Sequence, residues 1–328
     1  MMTPQEDISK IVENELQIME NLLHTELSKG NLFIAKEAIR LLKSGGKRIR
    51  PIFTILFSLL GTAYNSKQAV SIAAAIETMH MATLIHDDTI DNAATRRGIE
   101  TTFIRHGIHT AVYTGDWMFI KSLQLLSQTN DGTPVSSEIL HKLAQAMESV
   151  CDGELDQYFG RGRIPKISKY YSRIKRKTGS LFIAASVSGA KIAELTDKQI
   201  QAASKFGENF GIAFQIQDDI IDIVSSTDIA GKTVRSDLNE GIITLPILLA
   251  CKISPQFNTK VELFLNDPSS YTPSYIRDEA INLDCIALSR KECRRFIRKC
   301  LSNLDLLPHN FASDEIRRIV ANVFASIL

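Results

Sequence analysis

Two stretches of this chain gather carboxylates at the same spacing. Asp87, Asp88 and Asp91 close the run MHMATLIHDDTID, and Asp218, Asp219 and Asp222 close FQIQDDIID. On an α-helix, residues i and i+4 share a face and i+1 lies about 100° away, so each triplet crowds like charges near one place. Such crowding favours a bound cation. Oxygen donors without a Cys or His cage match Mg²⁺, the usual ion where carboxylates meet phosphate, and not a structural zinc. Arg96 and Arg97 follow the first triplet, and a guanidinium is the side chain best shaped for phosphate. A third charged stretch is SGGKRIRP, with Lys47, Arg48 and Arg50 between a glycine pair and Pro51. Glycines end a helix and proline suits the first turn of the next, so these cations lie at a helix N-terminus, where free amides also attract anions.

Each feature has a plainer reading when taken singly. One acidic triplet at a helix end is most often a solvated surface. His80, His86, Gln215 and the Lys177–Thr178 pair of RIKRKTG are ordinary helix residues on their own. Two triplets of one spacing, each after an apolar helical run, are harder to dismiss, because core helices seldom keep three adjacent carboxylates uncompensated. Together the residues describe a metal-bridged, phosphate-bearing ligand.

The bulk properties exclude several classes. Lys plus Arg is 38 and Asp plus Glu is 37, a net charge of +1, which argues against a nucleic-acid partner. The five cysteines (Cys151, Cys251, Cys285, Cys293, Cys300) have no CxxC spacing and read as thiols of a cytoplasmic protein. The opening MMTPQEDISK lacks a signal-peptide pattern, and no run of 18 apolar residues occurs.

Helical periodicity predicts the elements that carry these residues. Helices are expected over about 5–29, 32–43, 51–61 and 67–91, the last ending in the first triplet. More follow over about 101–127, with Gly107 and Gly115 as possible breaks, then over 136–159, 167–192 and 197–224, the last carrying the second triplet. The polar stretch 225–241 is long for a loop and so expected to be functional. TLPILLA begins a further helix, and three or four shorter ones fill 256–328. Strand patterning is nearly absent. No composition shift marks a boundary, so one domain over 1–328 is expected.

The ordered set GGKRIRP, HDDTID with RRG, KTG, FQIQDDIID, then GK followed by SDLNEG and TLPILLA resembles the trans-isoprenyl (polyprenyl) diphosphate synthases over about residues 30–250. The likeness is greatest to the large catalytic component of two-component hexaprenyl or heptaprenyl diphosphate synthases of bacteria. It implies an all-α isoprenoid-synthase bundle around a deep central cavity, with the two acidic motifs facing each other at its mouth. It also implies condensation of isopentenyl diphosphate with an allylic diphosphate.

By that resemblance Asp87, Asp88, Asp91, Asp218, Asp219 and Asp222 hold Mg²⁺, up to three ions bridged by diphosphate. Arg96, Lys177 and Lys232 serve the allylic diphosphate, with Thr178 and Gln215 beside the cation. Lys47, Arg50, His80 and Arg97 hold isopentenyl diphosphate without metal. Met79, Ala82 and Thr83 stand above the first motif. With no aromatic plug there, a product of C30–C35 is expected, its floor set by Phe103, Trp117, Phe119 or Phe159 or by a partner chain. A dimer is implied, with a heterodimer containing a small noncatalytic subunit as one form. Any membrane contact is peripheral, for product release. The alternatives are a geranylgeranyl or C40-plus synthase, or a class I terpene cyclase, whose usual Asn/Ser/Glu motif is absent at the second site.

Overall fold

The computed structural model describes residues 4–128, 134–225, 237–267 and 269–328. Helices dominate because apolar residues recur at helical spacing and the caps stand where the periodicity begins. They are α1 (Pro4–Leu27), α2 (Leu32–Lys43), α3 (Ile49–Ser58), α4 (Ser66–Ile90), α5 (Thr102–Ser127), α6 (Pro134–Phe159) and α7 (Ile167–Ile174). Then come α8 (Ser180–Ile192), α9 (Asp197–Ser225), α10 (Leu245–Ile253), α11 (Pro255–Asn266), α12 (Pro273–Asn282), α13 (Cys285–Leu304) and α14 (Phe311–Val323). Asn65 accepts the Gln68 amide at the start of α4, and Thr101 accepts the Ile104 amide at the start of α5. Each satisfies an amide that has no partner within its helix.

The chain forms two compact units. The first comprises Met1–Met147, Leu181–Ser204 and Leu304–Arg317. Its centre is α4, an apolar helix buried on nearly every side from Ala69 to Met79, as expected of a helix without a solvent face. In its most apolar window, long enough to cross a membrane by composition, 78% is buried inside the fold. α5 lays Ala111, Gly115, Met118, Ser122 and Leu125 inward at helical spacing. Gly115 is no break. A Cβ there would come within 2.3 Å of His86 Nε2, so the glycine lets α5 and α4 close on each other. Gly107 does interrupt the helix, with φ at 78°.

The second unit comprises Glu148–Ser180, Lys205–Asn303 and Arg318–Leu328. Phe206, Phe210 and Phe324 are buried, with Phe210 and Phe324 5.3 Å apart edge to face. Cys293 donates from Sγ to the Ala213 carbonyl.

Two local features depart from the expected pattern. The helix expected over 167–192 is interrupted by a π-helical turn, Lys175–Gly179, which carries Lys177 and Thr178. Such a turn inserts a residue into the helical register and commonly marks a functional site. Gly153 of α6 lies under it, where a Cβ would stand 2.6 Å from the Lys177 amide nitrogen. The second departure is a hairpin of two-residue strands, β1 (Thr95–Arg96) and β2 (Ile99–Glu100), too short to show alternation in sequence. Its turn is Arg97 (φ 51°) and Gly98 (φ 77°), the paired left-handed conformation that matches strand twist.

Close approach of helices makes one packing prediction. At Gly189 of α8, a Cβ would meet the Thr54 carbonyl at 2.5 Å and Phe57 Cβ at 2.6 Å on α3. Neither atom can rotate away, so Gly189→Ala should destabilise the chain by roughly 1–3 kcal/mol through overpacking. Thermal denaturation measures it, and an unchanged midpoint would refute the account.

Candidate active site

The first unit positions one set of charged residues around the end of α4. Helical geometry stacks Thr83, Asp87 and Asp91 on one face. Asp87 and Asp91 are partly exposed, whereas Asp88 is buried and accepts a 2.7 Å bond from Arg96 Nε. Burial pushes the Asp88 carboxyl up, Arg96 pulls it back, and Asp91 pushes it up again. One turn and more below lies His80. Burial holds its pKa well below the ordinary histidine value, and the positive field of Arg50, Arg97, Arg96 and Arg48 adds to the effect. His80 is therefore held as an uncharged imidazole among these arginines.

Three of these arginines are held by the fold. Arg97, at the hairpin turn, donates to the Gly45 carbonyl and lies against Gly46, where a Cβ would come within 2.9 Å of its Nη1. Hairpin and GGKR loop are thereby tied together. The Arg50 guanidinium lies 4.2 Å from the Phe182 ring centroid, a cation–π contact that orients it. Arg48 has a different task. It pairs with Glu77 at 2.6 Å and donates to the Leu42 carbonyl at 2.7 Å, both side chains being buried. Lys47 is exposed. Met79 and Ala82 are buried in α4, and the Thr83 hydroxyl donates to the His80 carbonyl.

The second unit positions the other set, and the acidic triplet divides in the same way. Asp218 is exposed and Asp222 partly exposed, whereas Asp219 retains 2% of its exposure. Both Asp219 oxygens accept bonds from the protein. Oδ2 takes the Tyr170 hydroxyl at 2.6 Å and the Leu245 amide at 3.4 Å, and Oδ1 takes Gln215 Nε2 at 3.0 Å. Gln215 Oε1 in turn accepts the Thr178 hydroxyl at 2.6 Å. Lys177 Nζ lies 2.9 Å from Glu154 Oε2. Lys232 lies outside the described residues.

Sequence reasoning missed three contributors here. Asp237, in SDLNEG, donates its amide to Asp222 Oδ2 at 3.4 Å. Burial, with Asp219 and Asp222 adding to it, pushes the Asp237 carboxyl up to about 7, and Asp222 is pushed up to about 6. Tyr170 and Glu154 are the others; Tyr170 meets Asp219 from α7 and Glu154 meets Lys177 from α6, so neither contact has a local spacing to signal it. The clustering of Asp237 with the triplet was hinted at only by its place in a long polar stretch.

Among the described residues no three His, Cys, Asp or Glu side chains converge as a ready-made ligand shell. The donor chemistry nevertheless fits Mg²⁺. Each motif turns one i, i+4 carboxylate pair outward, and the carboxyls at the second motif are raised because burial and mutual repulsion outweigh the cations near them.

Residues 33–272 match the family model described as polyprenyl synthetase. Component 2 of the heptaprenyl diphosphate synthase of Bacillus subtilis is 32% identical over 310 residues, covering 94% of this chain and 87% of that protein. The nonaprenyl diphosphate synthase of Mycobacterium tuberculosis is 33% identical over 251 residues, covering 76% and 73%. The crystal structure of heptaprenyl diphosphate synthase from Staphylococcus aureus superposes with a TM-score of 0.88 at 30% identity, covering 96% of this chain and 98% of that one. The chain belongs to the polyprenyl synthetase family, whose members are Mg²⁺-dependent prenyltransferases. Its activity is that of a trans-prenyl diphosphate synthase, on the all-α fold that the sequence implied.

The Arg48–Glu77 pair supplies a stability prediction. Removing the Glu77 charge leaves the buried Arg48 side chain with Glu20, half exposed and 3.4 Å away, and the Leu42 carbonyl, so Glu77→Gln should lower stability by roughly 1–3 kcal/mol in denaturant titration. A loss within about 0.5 kcal/mol would show that the pair contributes no more than an ordinary surface contact.

Proposed function

We propose that this enzyme extends farnesyl diphosphate with isopentenyl diphosphate to a C30–C35 product that supplies the side chain of a respiratory quinone. The observation that carries the site reading is the shared division of the two triplets. Asp87 and Asp91, and Asp218 and Asp222, lie on the more exposed faces of their helices and would hold Mg²⁺. Asp88 and Asp219 are drawn inward to Arg96 and Tyr170 and orient those pairs. Held there, the ions would supply positive charge to the departing diphosphate. Arg96, Lys177 and Lys232 bind the same group, and fixed cations aimed at developing negative charge lower the barrier.

Isopentenyl diphosphate is held without metal by Lys47, Arg50, Arg97 and neutral His80, which contributes a hydrogen bond and no charge. The allylic C–O bond breaks, the electron pair leaves with diphosphate, and the isopentenyl double bond attacks the resulting cation. A proton then leaves the adduct for the released diphosphate. Thr178 and Gln215 lie beside the cation. Thr83 sits one turn below Asp87 on the same face of α4, and its small side chain, with Met79 and Ala82, leaves room for a long product.

The enzyme works as a dimer in the cytoplasm, with peripheral membrane contact at product release. Supporting the dimer is a run of exposed apolar residues along α5: Ile104, Ile108, Val112, Ile120 and Leu123. Patches of that kind mark interaction surfaces. The designation of the Bacillus subtilis relative as component 2 supports a heterodimer with a small noncatalytic subunit.

The deciding assay supplies the purified chain with Mg²⁺, farnesyl diphosphate and radiolabelled isopentenyl diphosphate, and sizes the product. A C30–C35 product is expected, and activity that appears only with a second protein assigns the heterodimer. Asp87→Ala and Asp218→Ala should each lower turnover by about a thousandfold or more while the chain remains folded, the scale expected when transition-state charge stabilisation is lost. Normal turnover in either variant would sink the metal assignment.

A pH dependence follows from the raised carboxyls. With Asp222 near 6 and Asp237 near 7 in the metal-free chain, protons compete with the ion below pH 7. Mg²⁺ affinity should therefore fall as pH drops from 8 to 6. Titration calorimetry in buffers of different ionisation heat should detect proton release at about pH 6.5 and little at pH 8, as those values require. Equal heats in both buffers at pH 6.5 would contradict this arrangement.

A further inference from the structure

Tyr170 meets the second motif only through Asp219. Its ring is buried, and its hydroxyl reaches Asp219 Oδ2 at 2.6 Å. From there a directed series of hydrogen bonds runs to the π turn. Gln215 Nε2 donates to Asp219 Oδ1 at 3.0 Å, and the Thr178 hydroxyl donates to Gln215 Oε1 at 2.6 Å. Asp219 is the terminal acceptor, and every donor in the series points toward it. The Leu245 amide, at 3.4 Å from Oδ2, is the longest of its bonds, so Tyr170 is the closest group anchoring that oxygen.

The direction of the series matters because a hydroxyl has one proton. Thr178 spends its proton on Gln215, which leaves the lone pairs of its oxygen for whatever lies on its other side. That polarity holds only while Gln215 keeps its amide nitrogen toward Asp219. An amide turned end for end would offer N–H to Thr178 and force the hydroxyl to accept. Its proton would then point outward.

We propose that Tyr170 is a positioning residue which, through Asp219 and Gln215, sets the direction of the Thr178 hydroxyl and so turns its lone pairs toward the positive charge formed in prenyl transfer. Tyr170 touches no substrate. By holding Oδ2 it keeps the carboxylate from rotating, and the fixed Oδ1 keeps the Gln215 amide in one orientation. The π turn is part of the device, since it carries Thr178 within 2.6 Å of Gln215. The proposal rests on Thr178 facing the cation, and its test separates the two ideas.

A double-mutant cycle isolates this coupling. Tyr170→Phe removes one oxygen and keeps the ring. It should lower kcat about tenfold, with KM for both diphosphates within about twofold, because the loss falls on the charged transition state and not on binding. Thr178→Val should lower kcat at least as much, and Thr178→Ser should restore it. In the Thr178→Val background, Tyr170→Phe should cost less than about twofold; in the Thr178→Ser background it should again cost about tenfold. Equal tenfold losses from Tyr170→Phe in all three backgrounds, or a rise in KM with kcat unchanged, would overturn the relay and leave Tyr170 a structural residue. If Thr178→Val is itself fully active, it is the placement of Thr178 beside the cation that fails, and the relay fails with it. Should Y170F not fold, as judged by its melting curve, Gln215→Leu cuts the same relay at its middle link. Thr178→Val should then add less than about twofold to Gln215→Leu, and a fully additive loss overturns the proposal.

Discussion

A carboxylate placed at the end of an apolar helix loses hydration, and that loss must be offset by hydrogen bonds or positive charge. Both acidic motifs live under this constraint and meet it in one way. Helix geometry directs the middle aspartate of each triplet inward while the outer two share a more exposed face. The inward residue takes a strong donor, Arg96 for Asp88 and Tyr170 for Asp219. The outer pair keeps more of its exposure. The repeated spacing is thus the trace of a physical division between one buried, hydrogen-bonded carboxylate and two more exposed ones.

The same constraint governs the basic side of the first unit. Several arginines share a small region, and each has a different compensation. Arg48 has Glu77, Arg96 has Asp88, Arg97 has the Gly45 carbonyl, and Arg50 has the face of Phe182. Among them His80 is kept neutral. Fixed cations around an uncharged imidazole suit an anion. Glycines provide the room for this packing. Gly46 admits Arg97, and Gly115 admits His86 between α4 and α5.

Much of the fold was legible. The spans of α2, α4 and α9 follow the apolar periodicity closely, and the glycine pair and Pro51 mark the entrance to α3. Less legible were the hairpin and the π turn. Two-residue strands have no alternation to detect, and one inserted residue leaves a helical pattern almost unchanged. The site followed the same line. The aspartates and arginines stood out by type and spacing, whereas Tyr170 and Asp237 reach the second motif, and Glu154 reaches Lys177, through folding and with no spacing that announces it.

What the amino-acid sequence determined by itself is the chemistry: paired oxygen donors, phosphate-shaped guanidinium groups, an all-helical pattern and the ordered motifs of a prenyl diphosphate synthase. These are local properties, carried by residue type and by periods of three and four. Only the tertiary structure decided which aspartate of each triplet is buried against a donor, which arginine pairs with the buried Glu77, and that Thr178 meets Gln215. Those outcomes depend on burial and on partners far away in the chain. Asp219 and Tyr170 are 49 positions apart, and no local spacing encodes a hydrogen bond made across such a distance.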